Sequence, residues 1–276
     1  MFHLPAKKSL GQHFLVDPKA HKRIVDSLAP KADDIVIEIG PGTGLLTREL
    51  LASPIKKLIA FELDARAIPE LRAMFENEGS RFALEDHDFL EADLQAIAER
   101  QRQKIRVAGN IPYYITSPIL FKLIDERAAV RDAHLLLQKE VAERLTAKPR
   151  TKAYGIPTVL ANFFGEVKLL FKVPAGAFRP VPKVDSALVR IDFERDYFTR
   201  AGISKPPDFD DDGFRKLVRG LFAMRRKTIR NNLKPLVSTE AIERLEASTI
   251  SPFLNARAEE LSIEDFLRLN QSLMKP

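Results

Sequence analysis

Short apolar runs alternate with amphipathic stretches between residues 18 and 193. The apolar runs are rich in Val, Ile, Leu and Phe and predict strands at 34–40, 57–64, 81–88, 105–110, 133–138, 166–173 and 186–193. Stretches with helical periodicity lie at 18–28, from 45 onward, and at 65–77, 93–101, 116–126, 139–147 and 154–164. Because strands and helices alternate along the chain, we predict an α/β fold with a doubly wound parallel sheet.

The last part of the chain has a helical pattern of its own. Its clearest element is an apolar stripe with helical spacing, formed by Phe214, Leu217, Val218, Leu221 and Phe222. The composition changes between Tyr197 and Asp212, where Pro206-Pro207 precedes four aspartates. The predicted organisation is therefore a basic N-terminal arm at 1–30, an α/β domain at 31–195, a linker at 196–212 and a helical domain at 213–276.

Composition excludes several classes of protein. The chain contains no cysteine, which rules out disulfides, thiolate metal sites and cysteine nucleophiles, and its five histidines show no paired ligand spacing, so we expect no metal. The N-terminus lacks a signal-peptide layout, and no apolar run approaches the roughly 20 residues of a membrane span. We therefore expect a cytoplasmic protein with no membrane partner. A formal net charge of +6 and a pI of about 9.4 favour a polyanionic partner.

Positive charge is concentrated between Gly213 and Pro235, where eight basic residues occur without an acidic one. Such a run is commonly a solvated face, but here the local charge of +8 exceeds the net charge of the whole chain, which favours phosphate contacts. If one helix continued through Gly220, four of the arginines would share a face. The candidate RNA-binding residues are Arg215, Arg219, Arg225, Arg226, Lys227 and Arg230.

A glycine-rich turn follows the first predicted strand. The strand at 34–40 leads into Pro41-Gly42-Thr43-Gly44, and a helical pattern begins at Leu45. The spacing is Gly-x-Gly-x-Gly rather than the dinucleotide fingerprint, and the turn lacks a P-loop ending. Glycine lets a ligand approach the backbone closely, and the helix start offers N–H groups to a carboxylate. The pattern predicts a nucleotide-like ligand at this edge of the sheet.

Acidic residues end the next two predicted strands. Glu62 lies about 20 residues after the glycine turn, at a position suited to binding both hydroxyls of a ribose. Asp88 ends the following strand, where it can accept a hydrogen bond from the amino group of an adenine in a cofactor. Taken singly, each residue is more often a solvated strand end. Their succession after the glycine turn favours a binding role.

The fourth strand ends on Asn110-Ile111-Pro112-Tyr113. Pro112 cannot continue a central strand, so the chain turns at the sheet edge where ligands bind. The Asn110 side-chain carbonyl and the Ile111 backbone carbonyl could accept both N–H groups of an exocyclic amine, which would localise its lone pair for methyl transfer. Tyr113 could stack on the base. The alternative is an ordinary strand-to-loop turn, since the motif is short.

Two further segments each allow two interpretations. The segment from Ser9 to Leu15 belongs either to a poorly ordered terminus, which the pattern favours, or to a flap over a ligand. The stiff connector at 174–185 contains three prolines and Phe178. Phe178 is either an anchor of this loop in the core or a second wall for an extruded base, and the pattern gives no preference.

With these elements in order, the chain resembles the ribosomal RNA adenine dimethyltransferase family, and its small-subunit branch in particular. The matching stretches are Lys8-Ser9-Leu10-Gly11-Gln12-His13-Phe14-Leu15, Glu38-Ile39-Gly40-Pro41-Gly42-Thr43-Gly44, Asn110-Ile111-Pro112-Tyr113, Gln138-Lys139-Glu140-Val141-Ala142-Glu143-Arg144, Phe178-Arg179-Pro180-Val181-Pro182-Lys183-Val184-Asp185-Ser186 and Phe222-Ala223-Met224-Arg225-Arg226-Lys227-Thr228. The resemblance implies a Rossmann-like methyltransferase sheet with an antiparallel last strand and a small all-helical C-terminal domain.

The resemblance also implies S-adenosylmethionine as the methyl donor and two adjacent adenines near the 3′ end of small-subunit rRNA as the target. The enzyme would act as a monomer on a pre-30S particle. The implied donor-binding residues are His13, Leu15, Gly40, Gly42, Gly44, Glu62, Leu63, Asp88, Phe89 and Asn110. The implied catalytic residues are Asn110, Ile111, Pro112, Tyr113 and Phe178. His13 and Tyr114 depart from the family pattern, which commonly has Asn and a smaller polar residue at these positions.

Three alternatives remain open on the sequence. The nearest is a large-subunit rRNA adenine N6-methyltransferase, which shares the turn at 110–113. The second is a non-catalytic RNA-binding assembly or transcription factor on the same fold, and the third is a dehydrogenase. The match at 222–228 and the long basic C-terminal domain favour the small-subunit enzyme over the first. The intact acidic and amide residues argue against the second, and the glycine spacing against the third.

Overall fold

The computed structural model describes residues 4–7 and 11–274. Lys8, Ser9 and Leu10, which belong to the first motif of the family resemblance, lie outside the described residues. The chain divides into two compact units. The first, called the sheet unit, contains residues 1–142 and 166–194, and the second, called the helical unit, contains residues 143–165 and 195–276.

The sheet unit is built on a mixed sheet of seven strands within residues 11–274, in the spatial order β4-β3-β2-β5-β6-β9-β7. The strands of the described residues are β1 Phe14–Leu15, β2 Ile35–Ile39, β3 Lys57–Phe61, β4 Phe82–Glu85, β5 Ile105–Asn110, β6 Val130–Gln138, β7 Glu166–Val173, β8 Phe178–Arg179 and β9 Ser186–Asp192. Neighbours from β4 to β6 are parallel, whereas β9 is antiparallel to both β6 and β7. The expected mostly parallel, doubly wound sheet with an antiparallel last strand is confirmed.

An α-helix follows each strand from β2 to β6 of the sheet unit, as an α/β fold requires. In the described residues the α-helices are α1 Pro18–Leu28, α2 Leu45–Ala52, α3 Ile68–Met74, α4 Leu94–Gln101, α5 Thr116–Asp125, α6 Lys139–Leu145, α7 Ile156–Phe164, α8 Tyr197–Ala201, α9 Asp211–Leu221, α10 Ile229–Leu233, α11 Thr239–Glu246, α12 Ser251–Asn255 and α13 Ile263–Met274. None of the helices in these ranges is long and apolar enough to cross a membrane.

The helical unit includes two segments that the sequence pattern predicted to lie outside it. Residues 143–165 were expected in the first domain, but the Phe163 ring stacks on Phe214 of α9, with ring centroids 4.0 Å apart. The expected linker at 196–212 contains α8, and its Phe198 and Phe209 rings both contact Phe163 at 5.6 Å. Burial of these aromatic rings therefore brings both segments into the helical unit.

The parallel strands bring the predicted site residues to one edge of the sheet. Ile39 pairs with both Phe61 and Gly109, and Phe61 pairs with Glu85, so β2 to β5 end close to the same level. The residues that follow directly are Gly40 after β2, Glu62 after β3 and the turn at 111–113 after β5. Carboxyl ends of parallel strands are where open α/β sheets bind ligands.

Candidate active site

A cavity of about 330 Å³ lies at the carboxyl ends of these strands in the sheet unit. Its volume is in the range of small-molecule sites, which starts near 300 Å³. The sequence-predicted residues that line it are His13, Gly40, Gly42, Glu62, Leu63, Asp88, Phe89, Asn110, Ile111, Pro112 and Tyr113. Segments separated by as many as a hundred residues in sequence thus meet around one cavity.

Three predicted site residues do not line this cavity. Leu15 is buried and borders a smaller side cavity of about 30 Å³. Gly44 is the N-cap of α2, with φ of +75°, where its conformation ends the glycine turn. Phe178 is only 1% exposed and lies in the hydrophobic core of the sheet unit, as the loop-anchor interpretation expected.

The glycine turn combines left-handed backbone with close packing. Gly42 has φ of +54°, and a Cβ at this position would stand 2.9 Å from the Phe14 ring, so a side chain there would displace that ring. A Cβ at Gly40 would meet nothing within 4 Å, which leaves its backbone accessible from the cavity. The Gly42 N–H donates to Glu62 Oε2 at 2.9 Å. The turn and the strand-end carboxylate therefore hold each other in place.

The carboxylates of Glu62 and Asp88, which follow β3 and β4, can each accept further hydrogen bonds. Glu62 is 6% exposed and accepts from two backbone N–H groups, those of Gly42 and Asp64. Burial raises the pKa of Glu62, and these hydrogen bonds oppose the rise. Asp88 Oδ1 accepts from the Leu90 N–H at 2.9 Å. Since each carboxylate oxygen has two lone pairs, both side chains can still accept from a ligand.

The Asn110 amide has a defined orientation. Its Nδ2 donates to the His13 backbone oxygen at 2.9 Å, so its carbonyl oxygen Oδ1 is the atom left to accept a further hydrogen bond. Ile111 is buried, and its N–H donates to the Leu136 oxygen on β6 at 3.1 Å, which anchors the turn to the sheet. The Tyr113 ring stacks on His13 with centroids 5.7 Å apart. An amide acceptor and an aromatic face therefore lie side by side at the tip of β5.

Residues 11–16, called the strap, cover this site. The strap strand β1 pairs with β8 in an antiparallel ladder that joins Leu15 to Phe178. Gln12 Nε2 donates to Asp64 Oδ2 at 2.8 Å, and His13 Nδ1 is 2.8 Å from the Pro180 oxygen. For these residues the structure supports the flap rather than the poorly ordered terminus.

Several lining residues were not predicted. They are Gly11, Gln12, Phe14, Ile39, Phe61, His87, Tyr114 and Ile115. Phe61 contacts both His87 and Phe89 edge-on, at centroid distances of 5.2 and 5.7 Å, and these rings give the acidic end of the cavity an aromatic wall. Phe61 and His87 directly precede Glu62 and Asp88 in sequence, a signal that could have identified them. Among residues 4–7 and 11–274 no group of three or more acidic or histidine side chains could hold a metal ion.

Comparison with known proteins agrees with this geometry. The profile of a family described as ribosomal RNA adenine dimethylase matches residues 4–275. The chain belongs to the ribosomal RNA adenine dimethylase family. It is therefore a methyltransferase, as the resemblance implied, and the dehydrogenase alternative is wrong.

Relatives of this dimethylase match it along nearly the whole chain. Ribosomal RNA small subunit methyltransferase A of Chlorobium phaeobacteroides is 42% identical over 270 residues, which are 98% of this chain and 92% of that protein. The protein of the same name from Francisella tularensis subsp. novicida is 40% identical over 264 residues, 96% of each chain.

Two solved structures share the fold of this dimethylase. A dimethyladenosine transferase from Plasmodium falciparum has a TM-score of 0.76 at 28% identity and covers 94% of this chain and 98% of its own. The 23S rRNA methyltransferase ErmE has a TM-score of 0.67 at 26% identity, with 95% and 100% covered. These likenesses agree with the Rossmann-like methyltransferase fold that the sequence predicted.

The basic residues of the helical unit do not form one face. Helix α9 ends at Leu221, and the chain turns through 223–227 before α10 begins, so Arg226 and Arg230 do not continue the row of Arg215 and Arg219. The helix does continue through Gly220, as the condition required, but it ends one residue later, so the four arginines do not share one helical face. The Phe222 N–H already bonds to the Gly220 and Val218 oxygens, which closes α9.

The side chains of some candidate RNA-binding residues form hydrogen bonds or ion pairs within the described part of the chain, and others do not. Arg225 donates to Glu259 Oε2 at 2.6 Å and to the backbone oxygens of Lys152 and Tyr154, so it ties the helical unit together. Arg230 pairs with Glu246 at 2.6 Å. Arg226 and Lys227 are exposed, and neither forms an ion pair with the described residues. Their charged groups are therefore the ones in this turn most available to bind a phosphate.

Glu38 is a buried acid beside the site. It is 1% exposed on β2, and its Oε2 has no hydrogen-bond partner in the described part of the chain. It borders the side cavity together with His21. Burial raises the pKa of Glu38 to about 8, and the charge of nearby Glu62 acts in the same direction. Glu38 is therefore largely protonated at neutral pH.

We expect the free energy of unfolding to fall less steeply with rising pH in Glu38→Gln than in the wild type. Below pH 4.5 Glu38 is protonated in both the folded and the unfolded chain, and its full contribution to stability is present. As pH rises toward about 8 the unfolded chain loses this proton more readily than the folded chain, so the contribution is lost. The isosteric amide does not ionise, so at pH 8 the variant should be more stable than the wild type by on the order of a few kcal/mol. Urea unfolding at pH 5 and pH 8 measures the difference. Equal pH dependence of the two proteins would contradict the assignment.

Proposed function

We propose that this chain transfers methyl groups from S-adenosylmethionine to N6 of two adjacent adenines near the 3′ end of small-subunit rRNA. It would act as a monomer on a pre-30S particle in the cytoplasm. The names of relatives that are 40–42% identical over nearly the whole chain support the substrate. The observation that carries the chemistry is the Asn110 amide, whose oxygen is left as an acceptor beside the cavity.

The residues of the cavity fit the methyl donor. Glu62 would hold the ribose hydroxyls, and Asp88 would accept from the amino group of the donor adenine, with Phe89 packed on its ring. The open backbone at Gly40 and the polar groups of His13 and Asn110 would hold the methionine end. Leu63 adds apolar contact, while Gly42, Gly44 and Leu15 would act indirectly by shaping the turn and the strap. When bound, the donor supplies an electrophilic methyl group on a sulfonium.

The target amine would be held by the tip of β5. Asn110 Oδ1 and the Ile111 backbone oxygen would accept the two N–H groups of the adenine amine, which favours a localised lone pair on nitrogen. Pro112 fixes the turn that presents both acceptors. Most of the rate would come from holding the amine in line with the methyl group. The methylated nitrogen then loses its proton to water, so no buried base is needed.

An extruded adenine would stack on Tyr113, as enzymes that modify bases commonly require. Phe178 remains proposed as the second wall. Because its ring is buried in the hydrophobic core and its strand β8 pairs with β1, Phe178 would contact the base only if the strap is displaced from β8 when RNA binds. Asn110, Ile111, Pro112, Tyr113 and Phe178 are thus the proposed catalytic residues.

In the helical unit we propose phosphate contacts for the basic side chains, led by Arg226 and Lys227. The logarithm of the RNA-binding constant falls as the logarithm of the salt concentration rises. Replacing both residues with Ala should make this fall less steep by roughly 0.7–0.9 for each phosphate that is no longer neutralised. Binding of small-subunit particles over a series of salt concentrations measures the slope. Arg268→Ala removes a cation paired with Glu264 and is the matched control. An unchanged slope in the double variant would refute the proposed phosphate binding.

Transfer of labelled methyl groups to particles of both ribosomal subunits tests the proposed function. We expect label in small-subunit rRNA and its release as dimethyladenosine on digestion. Label confined to large-subunit rRNA would identify the alternative enzyme, for which the likeness to ErmE is the supporting observation. Binding without transfer to either particle would leave a non-catalytic RNA-binding factor.

A further inference from the structure

Tyr114 leaves much of an aromatic ring uncovered at the mouth of the cavity. Its side chain is 57% exposed, although large aromatic side chains are usually well buried. It lines the cavity next to Tyr113, whose own ring is stacked on His13. In the part of the chain that the structure describes, Tyr114 forms no ring contact, and its hydroxyl forms no hydrogen bond. Among the described residues, therefore, no ring stacks on the exposed part of Tyr114.

The ring is nevertheless held in place. Tyr114 lies in the short 3-10 helix Tyr113–Ile115, closed by the Ile115 N–H donating to the Pro112 oxygen at 3.2 Å. A Cβ at Gly11 would stand 3.2 Å from Tyr114 Cδ1, so the ring rests against the strap backbone at a position without a side chain. The strap thus supports the ring at Cδ1 and Cε1, while more than half of the residue stays exposed. Such a ring is a preformed platform.

The surroundings suit RNA better than protein. Leu63 on the cavity wall is 54% exposed, and Val181 is 56% exposed directly after Pro180, whose oxygen contacts His13 Nδ1. Arg179 and Lys183 are exposed on the same connector. Exposed apolar faces interleaved with cations are what single-stranded nucleic acid binds, by base stacking and by phosphate contacts.

We propose that Tyr114 is the stacking platform for the base that neighbours the target adenine. This inference rests on the proposed function. Extruding a base removes one stacking surface from its neighbour, and the Tyr114 ring replaces that surface beside Tyr113. Where two adenines are adjacent, the platform holds one of them while the other is in the site. Tyr114 is then a positioning residue for RNA and takes no part in the methyl transfer.

Three substitutions separate stacking from other roles of the side chain. With small-subunit particles as substrate, Tyr114→Ser should raise KM about tenfold or more, because it removes a base–aromatic stack. Tyr114→Phe should keep the wild-type KM, and Tyr114→Leu, which is apolar but not planar, should fall between. The kcat and the binding of S-adenosylhomocysteine should change little. Thermal unfolding checks that each variant folds, and Ile203→Ser is a matched exposed-site control in the helical unit.

A change in the RNA completes the test. Particles with uracil in place of the neighbouring adenine should raise the KM of the wild type, since uracil stacks weakly, but should add little to Tyr114→Ser. Such non-additivity is the signature of direct contact. An unchanged KM in Tyr114→Ser, an equal loss in Tyr114→Phe, or additive effects would each overturn the proposal. The proposed function fails separately, if wild-type protein labels no small-subunit rRNA.

Discussion

Asn110→Ala should lower the rate of dimethyladenosine formation by roughly 10²–10³, the cost of removing one preorganised electrostatic interaction with a reacting group. The substitution removes Oδ1, the acceptor left over once Nδ2 has bonded to the His13 oxygen. Without it the amine has only the Ile111 oxygen, and its lone pair stays shared with the ring. Mass spectrometry of rRNA from treated small-subunit particles measures the rate.

A matched control is available on the same unit. Asn77 is exposed, outside the cavity, and in a short 3-10 helix, so Asn77→Ala should methylate at the wild-type rate. Because Asn110 also ties the strap to β5, binding of S-adenosylhomocysteine should be measured in parallel. A near-normal rate in Asn110→Ala with bound donor analogue would exclude the catalytic role proposed for the amide.

Arg106→Leu should destabilise the sheet unit by about 3–5 kcal/mol, the range for breaking a buried ion pair. Arg106 on β5 is 4% exposed and donates to both Asp132 oxygens, at 2.8 and 2.6 Å, and to Asp34 at 2.8 Å. Burial alone would raise the pKa of Asp132, but contacts with His134 and Arg106 hold it below its ordinary range. Removing the guanidinium leaves two buried carboxylates without their main partner.

The surface pair Arg72–Asp86 provides the comparison for this variant. Both side chains are 58% exposed and lie 3.1 Å apart, so Arg72→Leu should cost about 1 kcal/mol or less. Unfolding in urea yields both values from the shift in midpoint. Equal costs for the two substitutions would show that the buried cluster contributes no more than a surface pair.

The local sequence pattern was sufficient to predict elements whose apolar residues follow a regular spacing. The bounds of α1 and β7 agree with the prediction, because a proline near the helix start and polar residues around an apolar run mark their ends. The strand at 133–138 begins three residues earlier, at Val130. Arg131 and Asp132 are too polar for the usual pattern of a central strand. The burial of Asp132 is acceptable because Arg106 and His134 pair with its carboxylate.

Contacts between distant segments could not be predicted in this way. Strands β1 and β8 have two residues each and pair across more than 160 positions, so neither has a periodic signal. The strap's cover over the cavity and the burial of Phe178 both depend on that ladder. The pairing of Arg225 was also unpredictable. Arg225 lies in a run of basic residues without an acidic one, and its acidic partner Glu259 is 34 residues away in sequence.

Site residues could be predicted from the sequence where a polar side chain lies at or just after the end of a predicted strand. Glu62 directly follows β3, Asp88 lies three residues after β4, and Asn110 ends β5. Because these strands are parallel neighbours in one sheet, topology brings the three residues together around the cavity. Phe61 and His87 precede two of them and were missed, since an aromatic residue in an apolar run that predicts a strand is usually part of the core.

The most direct test of the central claim is a structure of this dimethylase with S-adenosylhomocysteine and adenosine bound. We predict that adenosine N6 lies within hydrogen-bonding distance of both Asn110 Oδ1 and the Ile111 backbone oxygen, with the sulfur of the donor analogue facing that nitrogen. A sulfur that faces away from the tip of β5, or a cavity that binds no donor analogue, would contradict the account.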